Sequence, residues 1–494
     1  MHNGTLLAAV DLGSNSFRLE IGRLDHGQIR RVEYLKETVR QGGGLDEARN
    51  LTPEAMRKGW ECLARFGERL AGFRKGQVRA VATQTLREAR NREAFLAKAN
   101  QVLGFPIDVI SGREEARLIY LGVSHLLPQS DERRLVVDIG GRSTELILGR
   151  QFEPSAAESY RVGSVAWSMR YFPDGEFTAD AFEAAEVAAK AVLDEALTTY
   201  RREGWDVAYG SSGTIGAVSD ILGAAGWEGG VVTREGLEWL RDRLLAARTS
   251  DKLRMDGLKD DRKPVVGGGL SVLSAVFDLL EIDEMRPAVG ALRHGALYDL
   301  LDREHGETDI RSGTVKRLAA RFEADPAQAA RVGRVACLLL RQLRTGDDAA
   351  ELARHERKLG WAAQLHEIGS AISHSDYHKH GAYILDNADA TGFALPELHR
   401  LGLLVLGHRG KLRKLEADFE DELFVHQLVC LRLAVILCHA RRDPDVKGVQ
   451  VQPGDHRVTL AVRPDWAKAY PQSAHLLREE SVAWQKTPWA VVAA

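Results

Sequence analysis

The sequence predicts an α/β fold in which two related domains face each other across a cleft, followed by an all-helical domain and a small α+β appendage. Three observations predict this arrangement. A hairpin-like motif occurs twice, strand-like segments alternate with helical ones through the first 300 residues, and the strand pattern stops near Gly313. Alternating strands and helices are typical of α/β domains, and the repeated motif indicates a duplication.

The repeated motif is VDLGSNSFRLEIG at residues 10–22, which returns as VDIGGRSTELILG at residues 137–149 with six of thirteen positions identical. Each copy has the pattern of a strand that ends near an aspartate, a Gly/Ser turn and a second strand, as in a β-hairpin. Glycines in such a turn let successive backbone N–H groups point at one spot, which favours phosphate. The two copies therefore predict two phosphate loops, with Asp11 and Asp138 beside them to hold a metal ion or a water.

Seven segments are rich in β-branched residues, are bounded by turns and are therefore predicted as strands. They are residues 6–11, 18–24, 78–83, 107–110, 135–139, 145–148 and 206–209. Residues 53–73 and 179–202 have helical periodicity and are predicted as helices between strands. Residues 313–442 are almost wholly helical in pattern, and after Pro444 the alternating VQVQ and HRVTLAV segments predict a hairpin followed by one or two helices.

These patterns divide the chain into four predicted domains. Two α/β domains cover residues 1–122 and 123–305, a helical domain covers residues 306–443, and the appendage covers residues 444–494. The total length is compatible with this number, because typical domains have about 100–200 residues.

The composition excludes several classes of protein. The net charge of −3 gives no general attraction to nucleic acids or membranes, so neither is expected as a partner. The four cysteines form no CxxC pair, which argues against a disulfide framework and against a zinc site. Neither a signal peptide nor an apolar segment of about 18 residues is recognised. The sequence therefore predicts a cytoplasmic protein.

A third glycine-rich element is VAYGSSGTIGAV at residues 207–218. A predicted strand leads through GSSGT into a helix whose N-terminal N–H groups favour anions. No lysine follows the second glycine, so this is not a Walker A loop. Beside the two hairpin loops it is predicted to form the third wall of one phosphate site.

A strand-to-helix junction lies in VISGREEARLIYLGV at residues 109–123. Ser111 and Glu114 have the spacing of a capping box, which gives Glu114 a structural role. Glu115 has no such role and would lie in the first helical turn beside the crevice of the sheet, where a carboxylate can accept a proton from an attacking water. A solvated glutamate stabilised by the helix dipole is the alternative interpretation.

Six ordered motifs resemble the exopolyphosphatase/guanosine pentaphosphate phosphohydrolase family. They are DLGSNSFR, TLR at residues 85–87, SGREEARLIYLGV, VDIGG followed by STEL, GSSGT, and AVGALRHGALYD at residues 288–299. The resemblance covers about residues 7–301, and the helical part is similar to the C-terminal region of long family members. It implies duplicated actin-like ATPase (ribonuclease H-like) domains around a cleft, in an enzyme that hydrolyses phosphoanhydrides with the help of Mg²⁺.

The resemblance also implies roles for individual residues. Glu115 corresponds to the general base that deprotonates the hydrolytic water, and Asp138 and Glu145 correspond to the carboxylates that hold Mg²⁺ and water at the terminal phosphate. Arg87 matches an arginine at the phosphate end. The matching phosphate loops contain Asp11, Ser14, Asn15, Ser16, Gly140, Gly141, Arg142, Ser143, Thr144, Gly210, Ser212, Gly213 and Thr214.

One position departs from the family pattern, which usually has DIGGGST where this chain has Arg142. An arginine there could add a bidentate phosphate contact. It could equally obstruct the loop if the position required a positive φ, which is costly for a residue with a Cβ.

The helical domain has His366 followed by Glu367, which is similar to the metal-binding His-Asp pair of HD phosphohydrolases with the aspartate replaced. The resemblance implies an HD-like domain kept as a scaffold, without a catalytic metal. His374, His378 and His380 are interpreted as phosphate contacts or surface groups, with a metal cluster as the alternative.

A basic strip is formed in the sequence by Lys379, Arg409, Lys411, Arg413 and Lys414, on a weakly acidic chain. Such a run of charge is usually a solvated face. In an enzyme that hydrolyses polyanions it would be the track along which the substrate runs.

The sequence thus predicts an exopolyphosphatase that releases terminal phosphate from inorganic polyphosphate, and the resemblance implies a homodimer. The main alternative is a guanosine pentaphosphate 5′-phosphohydrolase with the same catalytic centre. A sugar or acetate kinase would need residues 265–280 to hold adenosine, and a non-enzymatic polyphosphate sensor would not need the carboxylates. The set Asp11, Glu115, Asp138 and Glu145 therefore favours an enzyme over a sensor.

Overall fold

The computed structural model describes residues 1–304 and 308–493, apart from the side chains of Glu304, Glu416, Ala417 and Ala493. The chain forms two compact units, Met1–His305 and Gly306–Ala494. In the described residues no helix is long and apolar enough to cross a lipid bilayer.

The first half of the first unit is built on a five-stranded sheet. Its strands are β1 (Leu6–Leu12), β2 (Phe17–Asp25), β3 (Gln28–Glu37), β4 (Val78–Ala82) and β5 (Ile107–Val109). They lie in the order β3-β2-β1-β4-β5, with β1 antiparallel to β2 and parallel to β4. Strand β1 is apolar and buried along almost its whole length, as expected for a central strand that is covered on both faces.

Four helices accompany this sheet. They are α1 (Pro53–Arg69), α2 (Gln84–Glu88), α3 (Arg92–Leu103) and α4 (Gly112–Leu126). Helix α4 begins after β5, where the Ser111 hydroxyl accepts a hydrogen bond from the Glu114 amide at 3.2 Å. This cap places Glu115 in the first turn of α4, as the sequence predicts.

The second half repeats the arrangement on a six-stranded sheet. Its strands are β6 (Arg133–Ile139), β7 (Thr144–Arg150), β8 (Glu153–Tyr160), β9 (Val207–Ser211), β10 (Val232–Thr233) and β11 (Glu284–Pro287), in the order β10-β11-β9-β6-β7-β8. Its helices are α5 (Ser164–Tyr171), α6 (Ala179–Leu193), α7 (Ser212–Ala224), α8 (Arg234–Ala247), α9 (Val266–Leu279) and α10 (Leu292–Glu304). The β6–β7 hairpin and the parallel pairing of β6 with β9 match the β1–β2 hairpin and the pairing of β1 with β4, which confirms the predicted duplication.

Helix α10 returns to the first half and packs against α4 and β1. Two glycines permit this close approach: a Cβ on Gly295 would lie 1.8 Å from the Leu118 carbonyl oxygen, and one on Gly122 would lie 2.3 Å from that of Ala291. Any larger residue at either position would push the two helices apart. The helix that carries Glu115 is therefore held by both halves of the unit.

The second unit is mostly helical, as predicted. Its elements are α11 (Ile310–Arg321), α12 (Pro326–Leu343), α13 (Ala349–Leu365), α14 (Tyr377–Asn387), α15 (Leu395–Gly407), α16 (Glu422–Leu437), β12 (Val449–Gly454), β13 (Arg457–Val462), α17 (Pro464–Ala469), α18 (Pro471–Trp484) and β14 (Ala490–Ala493). The predicted hairpin is β12–β13, and β14 adds to it in parallel. Apolar side chains of these strands, such as Val451 and Leu460, share one buried core with the helices. The division into four domains stays a prediction.

The structure corrects several predicted elements. All seven predicted strands are present, but β3, β8, β10, β11 and β14 were not predicted. Strands β3 and β8 lie at sheet edges and carry charged residues, so they lack the apolar alternation on which the prediction depends. The helix predicted at residues 179–202 ends at Leu193 and continues as a 3₁₀ turn. The 3₁₀ turns of the chain are Gln41–Gly44, Lys75–Gln77, Asp194–Thr198, Arg202–Gly204, Glu228–Gly230, Ser250–Lys252, Asp260–Val265, Ile368–Ala371 and Leu412–Asp418.

Candidate active site

The three predicted phosphate loops of the first unit meet at one cavity of about 410 Å³. We call residues 13–16 loop 1, residues 140–143 loop 2 and residues 212–214 loop 3. Twelve of the predicted site residues line this cavity: Asp11, Ser14, Asn15, Ser16, Glu115, Asp138, Gly140, Gly141, Ser143, Ser212, Gly213 and Thr214. Two hairpin tips and a helix N-terminus, which lie far apart in the sequence, therefore form a single site.

Loop 1 presents hydrogen-bond donors that have no partner in the protein. Asn15 Nδ2 and the Ser16 hydroxyl are buried without a hydrogen bond. The other polar groups of the loop hold it in place: the carbonyls of Ser14 and Asn15 accept hydrogen bonds from the Gly42 and Arg40 amides at 2.8 and 2.9 Å. Buried donors normally have partners, so the two orphaned groups indicate a ligand with acceptor oxygens.

Loop 2 is anchored through its carbonyl oxygens. The Gly140 carbonyl accepts a hydrogen bond from the Ser164 amide at 2.9 Å, and the Gly141 carbonyl accepts one from the Val165 amide at 2.9 Å. Both donors belong to the first turn of helix α5. Across residues 1–304 and 308–493, no hydrogen bond engages the amides of residues 141–143. These N–H groups are available for an anion.

Loop 3 contains a strained residue at the start of helix α7. Ser212 has φ +85°, a conformation that is unfavourable for a residue with a Cβ. Its hydroxyl donates a hydrogen bond to the Ile139 carbonyl at 2.9 Å and accepts one from the Thr214 amide at 3.2 Å. The conformation joins loop 3 to the end of β6 and presents the helix N-terminus, which favours negative charge, to the cavity.

The two hairpins carry different charges at equivalent positions. Asp11 lies opposite Arg18 in the β1–β2 ladder, and the two side chains form an ion pair at 3.1 Å. Asp138 lies opposite Glu145 in the β6–β7 ladder, so two carboxylates face each other there. The duplication therefore gives one neutral hairpin and one hairpin with unbalanced negative charge.

The pKa values reflect this unbalanced charge. Burial raises the pKa of Asp138 to about 6, with Glu115 reinforcing the shift and a hydrogen bond with Ser211 opposing it. Burial, together with Glu115 and Asp138, raises the pKa of Glu145 well above its ordinary value. Like charges in one buried site disfavour ionisation of each other, and a bound cation would relieve this cost.

Glu115 is buried and paired with an arginine. Arg87 Nη1 donates a hydrogen bond to Glu115 Oε2 at 2.7 Å and another to the Ile110 carbonyl at 2.9 Å. Burial raises the pKa of Glu115 from its ordinary value, and Arg87 opposes that shift. A carboxylate that is ionised but more basic than usual is suited to accept a proton near neutral pH. The alternative of a solvated surface glutamate is wrong, because only 7% of Glu115 is exposed.

Five predicted site residues do not line the cavity: Arg87, Arg142, Thr144, Glu145 and Gly210. The Thr144 hydroxyl donates to the Val162 carbonyl at 2.6 Å, and Glu145 accepts a hydrogen bond from the Ser159 hydroxyl at 2.7 Å. A Cβ on Gly210 would lie 2.4 Å from Ile215, so this glycine serves packing. The structure therefore places these groups behind the wall of the cavity rather than on it.

Arg142 corrects the predicted phosphate contact. Its guanidinium donates to Glu88 at 2.9 and 3.2 Å and to the Gly42 carbonyl at 3.1 Å, and so it links loop 2 to the first half of the unit. It is absent from the residues with positive φ, so the predicted backbone strain is wrong as well. The arginine replaces the third glycine of the motif without obstructing the loop.

Glu114 also differs from its expected role. Its carboxylate accepts two hydrogen bonds from Arg117 at 2.9 Å, and Arg117 Nη2 donates to Asp299 at 2.5 Å. Glu114 is fully buried in this network. We therefore expect a Glu114→Gln substitution to destabilise the fold, because a buried arginine would lose part of its compensating charge.

Several cations of the cavity could not be predicted from motifs. The cavity is also lined by Arg18, Lys36, Lys259, Arg262 and Arg293. Arg262 packs against loop 3, where a Cβ on Gly213 would lie 2.0 Å from its Nη2. No salt bridge is found for Arg262 among the residues that the structure describes, whereas Lys36 is paired with Asp261 at 3.0 Å. Arg262 is therefore the cation best placed to contact an anionic ligand at loop 3.

The cavity carboxylates fit a divalent cation that is shared with a phosphate ligand. Within the described parts of the chain, no group of three or more His, Cys, Asp or Glu side chains is placed to hold a metal alone. Mg²⁺ typically binds through one or two carboxylates together with phosphate oxygens and water. Asp138 lines the cavity and has uncompensated negative charge behind it, so it satisfies this requirement better than Glu145.

The predicted features of the second unit are described separately. His366 is buried, its Nδ1 lies 2.7 Å from the Ala363 carbonyl, and its ring lies 5.3 Å from that of His408. His374 is exposed, and His378 and His380 are partly exposed. The five residues of the basic strip are all exposed, with Lys379 paired to Asp376 at 2.7 Å and Arg409 over the Tyr377 ring at 4.7 Å. The HD-like interpretation stays a prediction.

Two family models match the chain: the Ppx/GppA phosphatase family over residues 21–304, and Ppx/GppA phosphatase, domain III, over residues 310–481. The chain is 40% identical over 482 residues to a protein of Vibrio atlanticus (strain LGP32) named guanosine-5′-triphosphate,3′-diphosphate pyrophosphatase, with 96% of this chain and 95% of that protein covered. A protein of the same name from Vibrio cholerae serotype O1 (strain ATCC 39315) is 39% identical over 487 residues, with 97% of each chain covered.

Solved structures support the same conclusion for the fold. The Aquifex aeolicus PPX-GPPA enzyme is 23% identical with a TM-score of 0.51, and the match covers 60% of this chain and 99% of that one. The first unit therefore has the actin-like α/β fold that the resemblance implies. Together with the family models and the curated relatives, this shows that the chain belongs to the Ppx/GppA phosphatase family and is a hydrolase that acts on phosphoric anhydrides.

Proposed function

We propose that the enzyme is a guanosine pentaphosphate 5′-phosphohydrolase, which removes the terminal 5′-phosphate from guanosine 5′-triphosphate 3′-diphosphate. One observation carries this choice: relatives that are about 40% identical over 96% of the chain are named for that substrate. The order of the two candidates predicted from the sequence is thereby reversed, and exopolyphosphatase becomes the second. Membership of a hydrolase family argues against the kinase and the sensor.

The charges of the cavity support a substrate with phosphate groups at more than one place. The three loops offer unpartnered donors for the terminal phosphate. Arg262, Lys36 and Lys259 add positive charge on the cavity wall. A guanosine with a 5′-triphosphate and a 3′-diphosphate has two separate anionic groups, and guanidinium groups are well suited to bind them.

The geometry supports direct attack by water. The water would donate its proton to Glu115 as its oxygen bonds to the terminal phosphorus, and the bond from phosphorus to the bridging oxygen would break. The products are orthophosphate and guanosine 5′-diphosphate 3′-diphosphate. Charge spreads over the phosphoryl oxygens in such a transition state, and the unpartnered donors of the loops stabilise it.

A magnesium ion would be held by Asp138 together with oxygens of the substrate, with Glu145 behind Asp138. It would neutralise charge on the terminal phosphate and supply Lewis-acid assistance. Arg87 holds Glu115 as a carboxylate that is aimed away from solvent.

We expect kcat/KM to fall as the pH is lowered through about 6. Asp138 has a pKa of about 6, and burial raises the pKa of Glu115 in the same direction. Protonation of Asp138 would weaken cation binding, and protonation of Glu115 would remove the base. Steady-state assays between pH 5 and 8 test this, with thermal unfolding measured at each pH as a check on the fold. Raising the Mg²⁺ concentration should move the acid limb to lower pH, and a rate constant independent of pH from 5 to 7 would contradict the assignment.

Substitution of two arginines should separate the cavity wall from the link between the halves. Arg262→Met should raise KM for guanosine pentaphosphate by about tenfold or more, because hydrogen bonds to charged groups contribute ~1.5–3 kcal/mol. Arg142→Gly restores the family motif and should change KM by less than about threefold, because the Arg142 guanidinium contacts Glu88 rather than the ligand, and such part-exposed pairs contribute ~1 kcal/mol or less. The reverse ranking of the two KM values would show that Arg142 rearranges to bind phosphate.

The proposed substrate is tested by orthophosphate release with Mg²⁺ from guanosine pentaphosphate, long-chain polyphosphate and ATP in parallel. Guanosine pentaphosphate should have the highest kcat/KM. A higher value for long-chain polyphosphate would establish the second candidate, and a higher value for ATP would contradict both.

The second candidate, exopolyphosphatase, is favoured by the exposed basic strip of the second unit. If the strip guides long chains, Lys411→Glu/Arg413→Glu should raise KM for long polyphosphate far more than for tripolyphosphate, because a long polyanion makes several contacts at once. The difference should shrink as salt is raised, because exposed charges are screened over ~10 Å at 0.1 M. Arg354→Glu/Lys468→Glu is the matched control, since both residues are exposed cations of the same unit outside the strip. Equal effects of the two double substitutions would make the strip a solvated face.

The homodimer implied by the resemblance and the predicted cytoplasmic location stay proposals. The first is tested by sedimentation equilibrium of the full chain, in which a single species of 54.5 kDa would contradict the dimer.

A further inference from the structure

The second unit contains an enclosed cavity of about 210 Å³ that the proposed hydrolysis does not use. Its walls include the aromatic rings of Trp361 and Phe393 and the side chains of Leu401 and Leu404, all of which are almost fully buried. It lies at helices α13, α15 and α16, among residues that belong to the second unit alone.

The aromatic wall has little need of further polar partners. The rings of Trp361 and Phe393 meet edge to face, with centroids 5.3 Å apart. Trp361 Nε1 already donates to the Ser312 hydroxyl at 3.2 Å, and the Arg311 guanidinium lies 4.9 Å from the Trp361 ring centroid. The wall therefore offers apolar ring surface, which favours a flat aromatic ligand.

Two polar atoms of residues that line the cavity have no partner. Gln427 is fully buried; its Nε2 donates to the His355 carbonyl at 3.0 Å, while its Oε1 accepts no hydrogen bond. Arg400 Nη1 pairs with Asp421, but Arg400 Nη2 is buried and unpaired. The cavity thus has one unused acceptor and one unused donor, and leaving such groups unpaired costs ~1–3 kcal/mol each.

The charges around these atoms are already balanced. Asp421 compensates Arg400, and Glu397, which also lines the cavity, accepts a hydrogen bond from Arg311 at 2.6 Å. A strongly charged ligand would disturb both pairs. Water could satisfy the two polar atoms, but the volume holds several waters and the ring and leucine walls would leave most of them without partners.

We propose that this cavity is a binding site for a neutral, planar heteroaromatic ring that carries both an N–H donor and a carbonyl acceptor, as a 6-oxopurine does. The N–H donates to Gln427 Oε1, the carbonyl accepts from Arg400 Nη2, and the ring packs on Trp361 and Phe393. The site does not depend on which phosphoanhydride the first unit hydrolyses.

Inosine and purine riboside are the probes, because the second differs from the first only in lacking the N–H and carbonyl of the six-membered ring. Isothermal titration of the full chain should show inosine binding about tenfold or more tightly, since two hydrogen bonds of ~0.5–1.5 kcal/mol each are lost with purine riboside. Gln427→Leu should bring the two affinities close together.

Leu401→Phe fills the cavity and should abolish inosine binding, while orthophosphate release by the first unit and the circular dichroism spectrum stay unchanged. This variant also excludes binding in the hydrolytic cleft, because inosine bound there would be unaffected by it. Equal affinities for the two nucleosides, inosine binding retained in Leu401→Phe, or no heat change at millimolar inosine would each overturn the proposal.

Discussion

Glu115→Gln is expected to lower kcat by about 10²–10⁴-fold, the range typical of a lost general base, and to leave KM nearly unchanged. The amide keeps the shape of the side chain and its contact with Arg87, but it cannot accept a proton from water. Glu115 is the group of the cavity wall that combines burial, a raised pKa and an arginine that keeps it ionised. Orthophosphate release at saturating guanosine pentaphosphate gives the measurement.

The matched control is Glu93→Gln, because Glu93 also lies in the first turn of a helix, but on the surface. That variant should retain full turnover. Glu114→Gln is not a suitable control, since its carboxylate belongs to the buried network of Arg117 and Asp299. A loss of less than about tenfold in Glu115→Gln would mean that another group takes the proton.

The parts of the site that could be predicted from the sequence depend on local structure. A β-hairpin fixes which residues oppose each other, so the repeat places Asp11 and Asp138 at equivalent positions. The Ser111 cap fixes where helix α4 starts and therefore where Glu115 lies. Such features depend on a few neighbouring residues, and the sequence pattern reports them directly.

The parts that could not be predicted depend on contacts between distant segments. Arg142 meets Glu88 only because the two halves close on each other, and Arg117 meets Asp299 across 182 residues. Arg262 reaches loop 3 from a 3₁₀ segment that has neither strand nor helix periodicity. No short motif contains the information on these pairs, so the sequence placed Arg142 on the phosphate and missed Arg262.

The same reasoning explains why the two hairpins differ in function although they are similar in sequence. A single difference at equivalent positions, Arg18 against Glu145, makes one aspartate part of an ion pair and leaves the other among like charges. The first hairpin can therefore serve as a phosphate loop without a cation. The second has a surplus of negative charge that only a cation or protons can balance.

Asp138→Asn is accordingly expected to make the protein more stable and nearly inactive. The folded-state pKa of Asp138, about 6, lies above its ordinary value of 3.8. The ionised carboxylate therefore costs stability above pH 6, and this cost disappears as the pH falls towards 4, where the unfolded chain is protonated too. At pH 7 without Mg²⁺ the asparagine should raise the free energy of unfolding by about 3 kcal/mol at most, since a pKa unit corresponds to about 1.4 kcal/mol. Turnover should fall on the order of a hundredfold or more, because an anchored cation contributes several kcal/mol.

Asp11→Asn is the matched control, because it is the same change at the equivalent position of the first hairpin. It breaks the pair with Arg18, which is 3.1 Å long and largely buried, so the thermal midpoint should fall where that of Asp138→Asn rises. The two midpoints are compared by thermal unfolding at pH 7 and pH 5. At pH 5 the gain from Asp138→Asn should largely vanish, since the wild-type carboxylate is then protonated in the folded protein. A fall in the midpoint of Asp138→Asn at pH 7 would show that the second hairpin is not under electrostatic stress, and the argument for a cation at Asp138 would lose its basis.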